Sequence, residues 1–379
     1  MIFLFFSDQN MFLKAIQINN FKNCQEATCL FAEKVNAIVG ENGSGKTNLL
    51  DAIHYLSFCK SYFSSQDGFS VRFGEDFFAL HGDFVGLDDE RMRKVSCTYK
   101  LNGRKSMKIN QKEYDRLSDH IGQYPLIMVS PYDNELIQNG SELRRKFFDM
   151  VMSQFDKEYL QQLIDYQKII LQRNTLLKKC FDSGSIDYSL LGIYDGQLVP
   201  LGENIYRKRE AFIEAMAPAF QKYYNYLSDN KENVKILYQS QLADKSFATA
   251  LEESIANDLR AGYTTVGVHK DDYIFLMNDH LVKRFSSQGQ QKSFALALKL
   301  SQFDYIFEQK KIKPILLLDD IFDKLDEQRI DKLLHLMGDN HFGQVFLSDT
   351  VKNRITSILD TYNILYKIFE VKNGHIEEA

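Results

Sequence analysis

The sequence has little of three features that would each indicate a particular class of protein: paired cysteines, long apolar runs and excess positive charge. Its five cysteines are odd in number and lack the spacing of a metal site, which fits the reducing environment of the cytoplasm. No stretch approaches the ~18 consecutive apolar residues that would span a bilayer, so no membrane partner is expected. A net charge of -5 excludes a global basic field, and any contact with nucleic acid would need a local patch.

What is present is an ordinary globular composition, with 44% hydrophobic and 26% charged residues, and a length of 379 residues that predicts two or three domains. Residues 1–6 are apolar but too short for a signal peptide. A regular strand pattern begins only after Met11, which could be the natural start. Residues 1–10 are therefore interpreted as an N-terminal extension.

One segment fills every fixed position of the Walker A phosphate loop. A buried strand is predicted before it at residues 35–39, and a helix after it at residues 48–58. Glycines let backbone N–H groups point at phosphate oxygens, Lys46 reaches the β- and γ-phosphates, and the Thr47 hydroxyl can hold Mg²⁺. A chance glycine-rich turn would not come with both flanking elements. The predicted nucleotide-binding residues are Gly40, Glu41, Asn42, Gly43, Ser44, Gly45, Lys46, Thr47 and Asn48.

A second segment supplies the carboxylates that such a site needs. Residues 314–318 read as an apolar strand that ends in Asp319 and Asp320, the pattern of a Walker B motif. Asp319 is placed to fix the metal or its water, together with Thr47. Asp320 is placed to orient or deprotonate an attacking water, which makes Asp320 and Lys46 the predicted catalytic pair. Without the phosphate loop, two acids after a strand would be as typical of a solvent-facing turn as of a Walker B motif.

A third segment indicates a subclass. Ser287, Gln288, Gly289 and Gln290 precede a predicted helix, where a hydroxyl and backbone N–H groups can contact phosphate. Since the local site already has its phosphate cradle, a second one would serve another nucleotide. In the ATP-binding-cassette fold, this signature segment completes the site of a partner subunit. Here Gln288 replaces the commoner glycine, and a polar helix cap without a ligand is the alternative.

The chain reads as an α/β fold interrupted by a helical block. Residues 11–137 form the first predicted part and residues 262–379 the last, while residues 138–261 read as a mainly helical lobe with a break near 182–185. Asn102-Gly103 predicts a two-residue hairpin turn within residues 95–109, and Asn278-Asp279 a second one within residues 274–285. The lobe lacks sustained heptads, so it is not a long coiled coil.

With these motifs and four further segments, the sequence resembles the RecF family of bacterial recombination mediators over nearly the whole chain from Met11. Residues 18–23 are similar to the family's first strand, with Lys22 where arginine is common. Residues 131–149 match a family signature, from which Tyr132 departs. Residues 267–272 are similar to the family's Gly-Pro-His-Arg-Asp-Asp, with Val268 and Lys270 as substitutions. Residues 322–326 resemble a D-loop, in which Asp326 would help align two sites.

The resemblance implies a fold and a mechanism. The expected fold is an ABC-type, SMC-like P-loop ATPase head with an inserted helical lobe. The resemblance implies that ATP and Mg²⁺ bind each monomer and join two copies into a homodimer. That dimer would clamp double-stranded DNA near single-strand gaps in the cytoplasm, in support of recombinational repair and replication restart, and hydrolysis would release it. A RecR-type mediator protein is the expected further partner, and DNA is expected to stimulate the ATPase.

Five cations are candidates for the DNA contact: Lys100, Arg104, Lys105, Arg144 and Arg145. The three on the first hairpin could also form an ordinary solvated face. Arg144 and Arg145 could instead form ion pairs between the lobe and the head. His269 is interpreted as a structural histidine rather than a site residue.

Two features of the sequence differ from those of transport ATPases. Asp349 stands where those enzymes place a histidine, so slow turnover is expected, and Asp349 is only a possible site residue. Gln123 precedes the strand at residues 126–129 rather than following it, so no Q-loop residue is assigned. A transporter ATPase subunit or another P-loop ATPase that does not act on DNA is the alternative function. An SMC-type structural protein would need long heptad segments, and a small-molecule kinase would leave the Ser287 segment unexplained.

Overall fold

The computed structural model describes residues 11–86, 92–183, 187–229, 232–323, 326–339 and 341–379. The interpreted extension at residues 1–10 lies outside these ranges, as do residues 184–185 of the predicted break and residues 324–325 of the D-loop segment. The chain divides into two compact units, one of Met1–Asp133 with Leu296–Ala379 and one of Asn134–Ala295. The second unit includes residues 262–295, which the sequence places in the ATPase head, and the functional domain limits stay a prediction.

The elements are numbered along the chain. The strands are β1 (Phe12–Phe21), β2 (Cys24–Leu30), β3 (Val35–Val39), β4 (Phe77–Val85), β5 (Arg93–Lys100), β6 (Ser106–Ile109), β7 (Lys112–Glu113), β8 (Leu126–Val129), β9 (Val234–Gln239), β10 (Asp272–Met277), β11 (His280–Leu281), β12 (Ile315–Leu318), β13 (Val345–Asp349), β14 (Tyr366–Lys372) and β15 (His375–Glu378). The helices are α1 (Lys46–Phe58), α2 (Glu135–Gln138), α3 (Ser141–Phe155), α4 (Lys157–Ser183), α5 (Tyr188–Ser228), α6 (Phe247–Ala261), α7 (Val282–Phe285), α8 (Gln288–Lys310), α9 (Glu327–Gly338) and α10 (Lys352–Thr361). Within the described ranges, none of the helices combines the length and apolar character that crossing a membrane requires.

The first unit is built on a sheet in the order β15-β14-β3-β13-β12-β8. Its strands are parallel except β15, which pairs antiparallel with β14 at the edge. Every residue of β3, β8, β12 and β13 is buried, as expected for parallel strands covered on both faces. The strand predicted at residues 35–39 is confirmed, and so is the one at 126–129. The register brings the carboxyl ends of β3, β12 and β13 to one edge, where ligands bind in open α/β sheets.

An antiparallel sheet in the order β2-β1-β4-β5-β6-β7 completes the first unit. One face lies against α1: a Cβ at Gly82 would be only 2.7 Å from a methyl group of Leu56. The predicted strands within residues 95–109 are confirmed, but the two-residue turn is wrong, because pairing ends at Thr98 and Ser106. The loop is wider than two residues, and Lys105 in it turns inward, donating to the Cys59 carbonyl at 2.6 Å.

In the second unit, α4 and α5 pack on each other, and β9, β10 and β11 form a small antiparallel sheet. The predicted strand at residues 234–238 and the following helix, stopped at Gly262, are confirmed. Asn278 and Asp279, both with positive φ, form the predicted two-residue turn between Met277 and His280. The predicted hairpin is wrong beyond Leu281, because Val282 begins the short helix α7.

A buried ionic network centred on Arg209 ties this unit together. Arg209 is 2% exposed and donates to both carboxylate oxygens of Asp149 at 2.9 Å. It also reaches the Asp271 carboxylate at 3.1 Å and the Val268 carbonyl at 2.8 Å. Burial raises the pKa of Asp271, and the positive charge of Arg209 opposes that rise. These contacts join the two segments that resemble RecF signatures, residues 131–149 and 267–272.

His269 belongs to the same region, and its environment agrees with a structural role. Its Nδ1 lies 2.8 Å from the Tyr166 hydroxyl and its Nε2 lies 3.1 Å from the Thr264 carbonyl. Because a carbonyl only accepts, Nε2 carries the proton and Nδ1 accepts from the hydroxyl. Burial lowers the pKa of His269 to about 4, so the ring is neutral at pH 7.

Removing the central cation of the network should destabilise the protein strongly. We expect Arg209→Met to lower the free energy of unfolding by about 3–5 kcal/mol, because Asp149 and Asp271 lose the charge that compensates their burial. Urea unfolding followed by circular dichroism measures the effect. The matched control is Arg207→Met, since Arg207 is exposed on the same helix, and its effect should stay within about 0.5 kcal/mol. Equal stability of the two variants would contradict the network's importance.

Candidate functional site

The phosphate loop connects β3 to α1 and requires its glycines. Gly43 and Gly45 have φ values of 77° and 120°, which favour glycine. A Cβ at Gly40 would lie 2.3 Å from the Val371 carbonyl oxygen, and one at Gly45 would lie 2.7 Å from Asn23 Nδ2. The loop is therefore confined between the last strands of the chain and the β1–β2 turn.

Lys46 lies at the centre of the loop, with only 4% of its surface exposed. Its Nζ donates to the carbonyl oxygens of Gly40 at 2.9 Å and Glu41 at 3.2 Å. The same ammonium group is 3.8 Å from an oxygen of Asp320. Two sequence-predicted residues from distant parts of the chain, one in each Walker motif, are thus brought together.

Asp319 ends β12 beside Thr47, as the sequence predicts. Thr47 Oγ1 is 3.0 Å from both carboxylate oxygens of Asp319. Burial raises the pKa of Asp319 to about 6, and the nearby charge of Asp320 adds to the rise, while hydrogen bonds from Ser348 and Thr47 oppose it. A carboxylate and a hydroxyl at this distance are oxygen ligands of the kind that Mg²⁺ prefers.

Ser348 is a site residue that the sequence reasoning missed. Its hydroxyl donates to Asp319 Oδ1 at 2.8 Å and accepts from the Asp320 backbone N–H at 2.8 Å. It lies on β13, between β3 and β12 in the sheet, so only the strand order places it there. Asp320 itself has a φ of 44°, a conformation that costs a non-glycine residue of order 1 kcal/mol and is common at functional sites.

Two further residues support the phosphate loop from outside it. Asn23 donates to the Ser44 carbonyl at 2.9 Å and accepts from the Asn48 side chain at 2.7 Å. The Gly374 N–H donates to the same Ser44 carbonyl at 2.8 Å. Asn23 could be recognised from the sequence only as part of a family-like segment, and Gly374 carries no nucleotide-binding motif of its own. The dipeptide Asn373-Gly374 is a hairpin-turn signal that could have located it.

The carboxylate of Asp349 is not an isolated negative charge, because it is paired with a cation. Its carboxylate accepts from Arg354 Nε at 2.7 Å, from Arg354 Nη2, and from the Val351 N–H at 3.1 Å. Its backbone carbonyl accepts from the Gly40 N–H at 3.2 Å, which ties β13 to the phosphate loop. Arg354 was missed by the sequence reasoning. Gln123 lies in the turn before β8, where it bonds the Asp119 carbonyl, and no Q-loop role follows from its position.

The predicted signature segment forms the start of α8 in the second unit. Ser287 and Gln288 are exposed. Ser287 Oγ accepts from the Gln290 N–H at 3.2 Å, and Gln290 Oε1 accepts from the Ser287 N–H at 2.8 Å, which is a capping box. The polar helix cap, which the sequence offers as the alternative to a phosphate contact, is therefore present. A cap of this kind does not prevent a phosphate contact.

Comparison with known proteins identifies the family. A model described as the RecF/RecN/SMC N terminal domain matches residues 12–71. The chain is 44% identical over 368 residues to the DNA replication and repair protein RecF of Bacteroides fragilis (strain YCH46), covering 97% of this chain and 98% of that protein. This chain belongs to the RecF family. The RecF protein of Flavobacterium johnsoniae is also 44% identical, over 361 residues, with 95% of this chain and all of that protein covered.

Solved structures agree with that assignment to RecF. A structure described as the recombination mediator protein RecF-ATP in the RecFOR pathway matches with a TM-score of 0.89 and 31% identity, covering 99% of each chain. An Smc head domain from Pyrococcus furiosus matches with a TM-score of 0.56 and 15% identity, covering 97% of this chain and 96% of that chain, so it shares the fold. The predicted ABC-type, SMC-like ATPase head is confirmed.

The remaining predicted site residues differ in their surroundings. Asp326 caps α9 by accepting from the Arg329 N–H at 3.0 Å, and residues 324–325 of the D-loop lie outside the described ranges. Of the five cations predicted to contact DNA, Lys100 and Arg104 are exposed. Lys105 is turned inward onto the Asp67 carboxylate at 2.8 Å, so its prediction as a DNA-facing cation is corrected.

Arg144 and Arg145 are also held by acids and carbonyls of their own unit. Arg144 forms a bidentate pair with Asp272 at 2.8 and 2.9 Å, and Arg145 donates to the Asp271 carbonyl at 2.6 Å. An ion pair of Arg144, the alternative to a DNA contact, is therefore present within the second unit, and its place between the predicted lobe and head stays a prediction. Of the five candidate cations, Lys100 and Arg104 on the β5–β6 hairpin are therefore the two that are exposed.

Proposed function

We propose that this RecF-family chain is an ATP-dependent recombination mediator that dimerises on ATP and holds DNA near single-strand gaps. The observation that supports it most is the convergence of Lys46, Thr47, Asp319 and Asp320 at the carboxyl ends of β3 and β12. Relatives named for DNA replication and repair cover almost the whole chain, which favours the same role here.

Each residue of this site would have a defined part in ATP hydrolysis. Lys46 would exchange its loop carbonyls for phosphate oxygens, and the residues at 40–48 would hold the triphosphate through backbone N–H groups. Thr47 and Asp319 fit Mg²⁺ by their oxygen donors, and the ion would supply positive charge against the phosphates. Asp320 would orient or deprotonate the attacking water. The charge of Asp349 is compensated by its ion pair with Arg354, and no histidine stands at this position. ATP hydrolysis should therefore be slow, and DNA is expected to stimulate it.

Dimerisation would complete the nucleotide site. Ser287, Gln288, Gly289 and Gln290 of one copy would contact the γ-phosphate held by the other, and Asp326 would help align the two sites. ATP binds both copies at once and ADP cannot, so hydrolysis weakens the dimer. The functional domains would be the head at residues 11–137 and 262–379 and the helical lobe at 138–261, with a RecR-type protein as the further partner. A transporter subunit, or another P-loop ATPase without a role on DNA, is not supported by the full-length RecF relatives.

Binding to gapped and intact DNA tests this function. With ATP and Mg²⁺, we expect tighter binding to a gapped duplex than to an intact duplex of equal length, and little binding of either with ADP. Fluorescence anisotropy at 50 and 200 mM salt would measure both, since phosphate contacts alone depend on salt but show no preference for a gap. Equal affinities for the two DNAs, or binding independent of ATP, would contradict the proposal.

A further inference from the structure

A surface of the first unit combines exposed aromatic rings with exposed cations. Phe73 is 101% exposed, Phe69 is 69% exposed and Phe77 is 43% exposed, although phenylalanine side chains of this size are normally buried. All three belong to residues 67–77, which lead into β4. Phe73 occupies a turn closed by the Glu75 N–H and the Arg72 carbonyl at 3.0 Å, followed by Gly74 with a φ of 86°. The backbone therefore holds the Phe73 ring out in solvent.

The aromatic segment lies directly against the hairpin of β5 and β6. Phe77 pairs across the sheet with Lys100, and the Leu101 N–H donates to the Asp76 carbonyl at 2.7 Å. A Cβ at Gly68 would lie 3.6 Å from a Leu101 methyl group, so the chain before Phe69 touches the same hairpin. The rings and the hairpin form one surface, which we call the aromatic–basic surface: Phe69, Phe73, Phe77, Lys100 and Arg104.

The charge of this hairpin identifies the kind of partner. Residues 92–112 contain seven Lys and Arg and no Asp or Glu, in a protein whose net charge is -5. Of the neighbouring acids, Asp67 is paired with Lys105 at 2.8 Å, Glu75 lies 3.6 Å from Arg72 and Glu113 lies opposite Lys108 in the sheet, while Asp76 is exposed. Cations beside unpartnered aromatic faces are the combination that binds single-stranded nucleic acid, the cations contacting phosphates and the rings stacking on bases.

We propose that the aromatic–basic surface binds unpaired nucleotides of the DNA by stacking Phe69 and Phe73 on exposed bases. This inference rests on the proposed function and adds the source of gap preference. Lys100 and Arg104 contact phosphates in any DNA, so they contribute equally to gapped and intact duplex. A phenylalanine ring stacks only on a base face that is not already covered by a neighbouring base, and a gap provides such faces whereas an intact duplex does not.

The double variant Phe69→Ala/Phe73→Ala tests the proposal against wild type on gapped and intact duplex with ATP and Mg²⁺. Affinity for gapped DNA should fall at least about fivefold, as expected for the loss of base stacking. Affinity for intact duplex should change less than about twofold. Lys100→Ala/Arg104→Ala should weaken both DNAs alike. Phe181→Ala, at a phenylalanine 61% exposed in the second unit, is the matched control and should change neither.

Photo-crosslinking adds a direct readout. An iododeoxyuridine placed in the gap should crosslink to a peptide containing residues 67–77, and the crosslink should disappear in the double variant. The proposal is overturned if the double variant binds gapped DNA like wild type, if it loses both DNAs equally, or if it loses ATP-dependent dimerisation, which would make this surface an interface between copies. Failure of wild type to bind any DNA would instead contradict the proposed function itself.

Discussion

Lys46→Met is expected to weaken ATP binding strongly and, with it, ATP-dependent dimerisation. The Lys46 ammonium is nearly buried and is held by two carbonyls of the phosphate loop and, more distantly, by Asp320. Methionine keeps the length of the side chain but removes the charge that would meet the phosphates. Truncating one partner of a buried charge pair costs about 2–5 kcal/mol, so affinity for ATP should fall about 30-fold or more.

Titration with a fluorescent ATP analogue measures that affinity, and light scattering after gel filtration measures the dimer. Lys14→Met, at an exposed lysine of β1, is the matched control and should behave as wild type. Circular dichroism checks that the Lys46 variant is folded. Wild-type affinity for ATP in the Lys46 variant would remove the basis for assigning the site.

Asp320→Asn should trap the ATP-bound dimer, whereas Lys46→Met should prevent the dimer from forming. Asparagine keeps the shape of the side chain but cannot take a proton from water, so hydrolysis should fall about 100- to 10,000-fold, as for loss of a general base. ATP binding should survive, because Lys46 and Thr47 are unchanged. The ATP-bound dimer should therefore persist for as long as the nucleotide stays bound, and phosphate release and gel filtration would show both effects.

A second substitution makes the test specific to the signature segment. Aspartate caps helices about as well as serine, so Ser287→Asp should leave α8 intact while placing a carboxylate where a phosphate is expected. Asp320→Asn/Ser287→Asp should thus bind ATP but remain monomeric. A trapped dimer in this double variant would exclude Ser287 from the interface. Monomers in both Lys46→Met and Asp320→Asn, with ATP and DNA present, would contradict the clamp.

The elements that carry the Walker motifs could be predicted from the sequence because their signals are local. A run of apolar residues followed by a glycine loop fixes β3 and the start of α1, and a similar run before Asp319 fixes β12. Parallel strands place such ends at one sheet edge, so the meeting of Thr47 with Asp319 was predictable too.

The supporting residues could not be predicted in this way, because they reach the site through strand order. Ser348 meets both Walker B acids because β13 lies between β3 and β12, and Gly374 meets the phosphate loop because β14 pairs with β3. Cations pose another difficulty. Composition cannot tell that Lys105 turns toward Asp67 while Arg104 stays in solvent, since that choice depends on an acid 38 residues away.

The capping box at Ser287 has a consequence for how two copies could come together. A hydroxyl offers one hydrogen and two lone pairs, and the Gln290 N–H occupies a lone pair only. The hydrogen remains free to be given to an incoming oxyanion without unwinding the first turn of α8. A phosphate contact at Ser287 would therefore require rotation of one O–H bond and no rearrangement of the backbone in the first turn of α8.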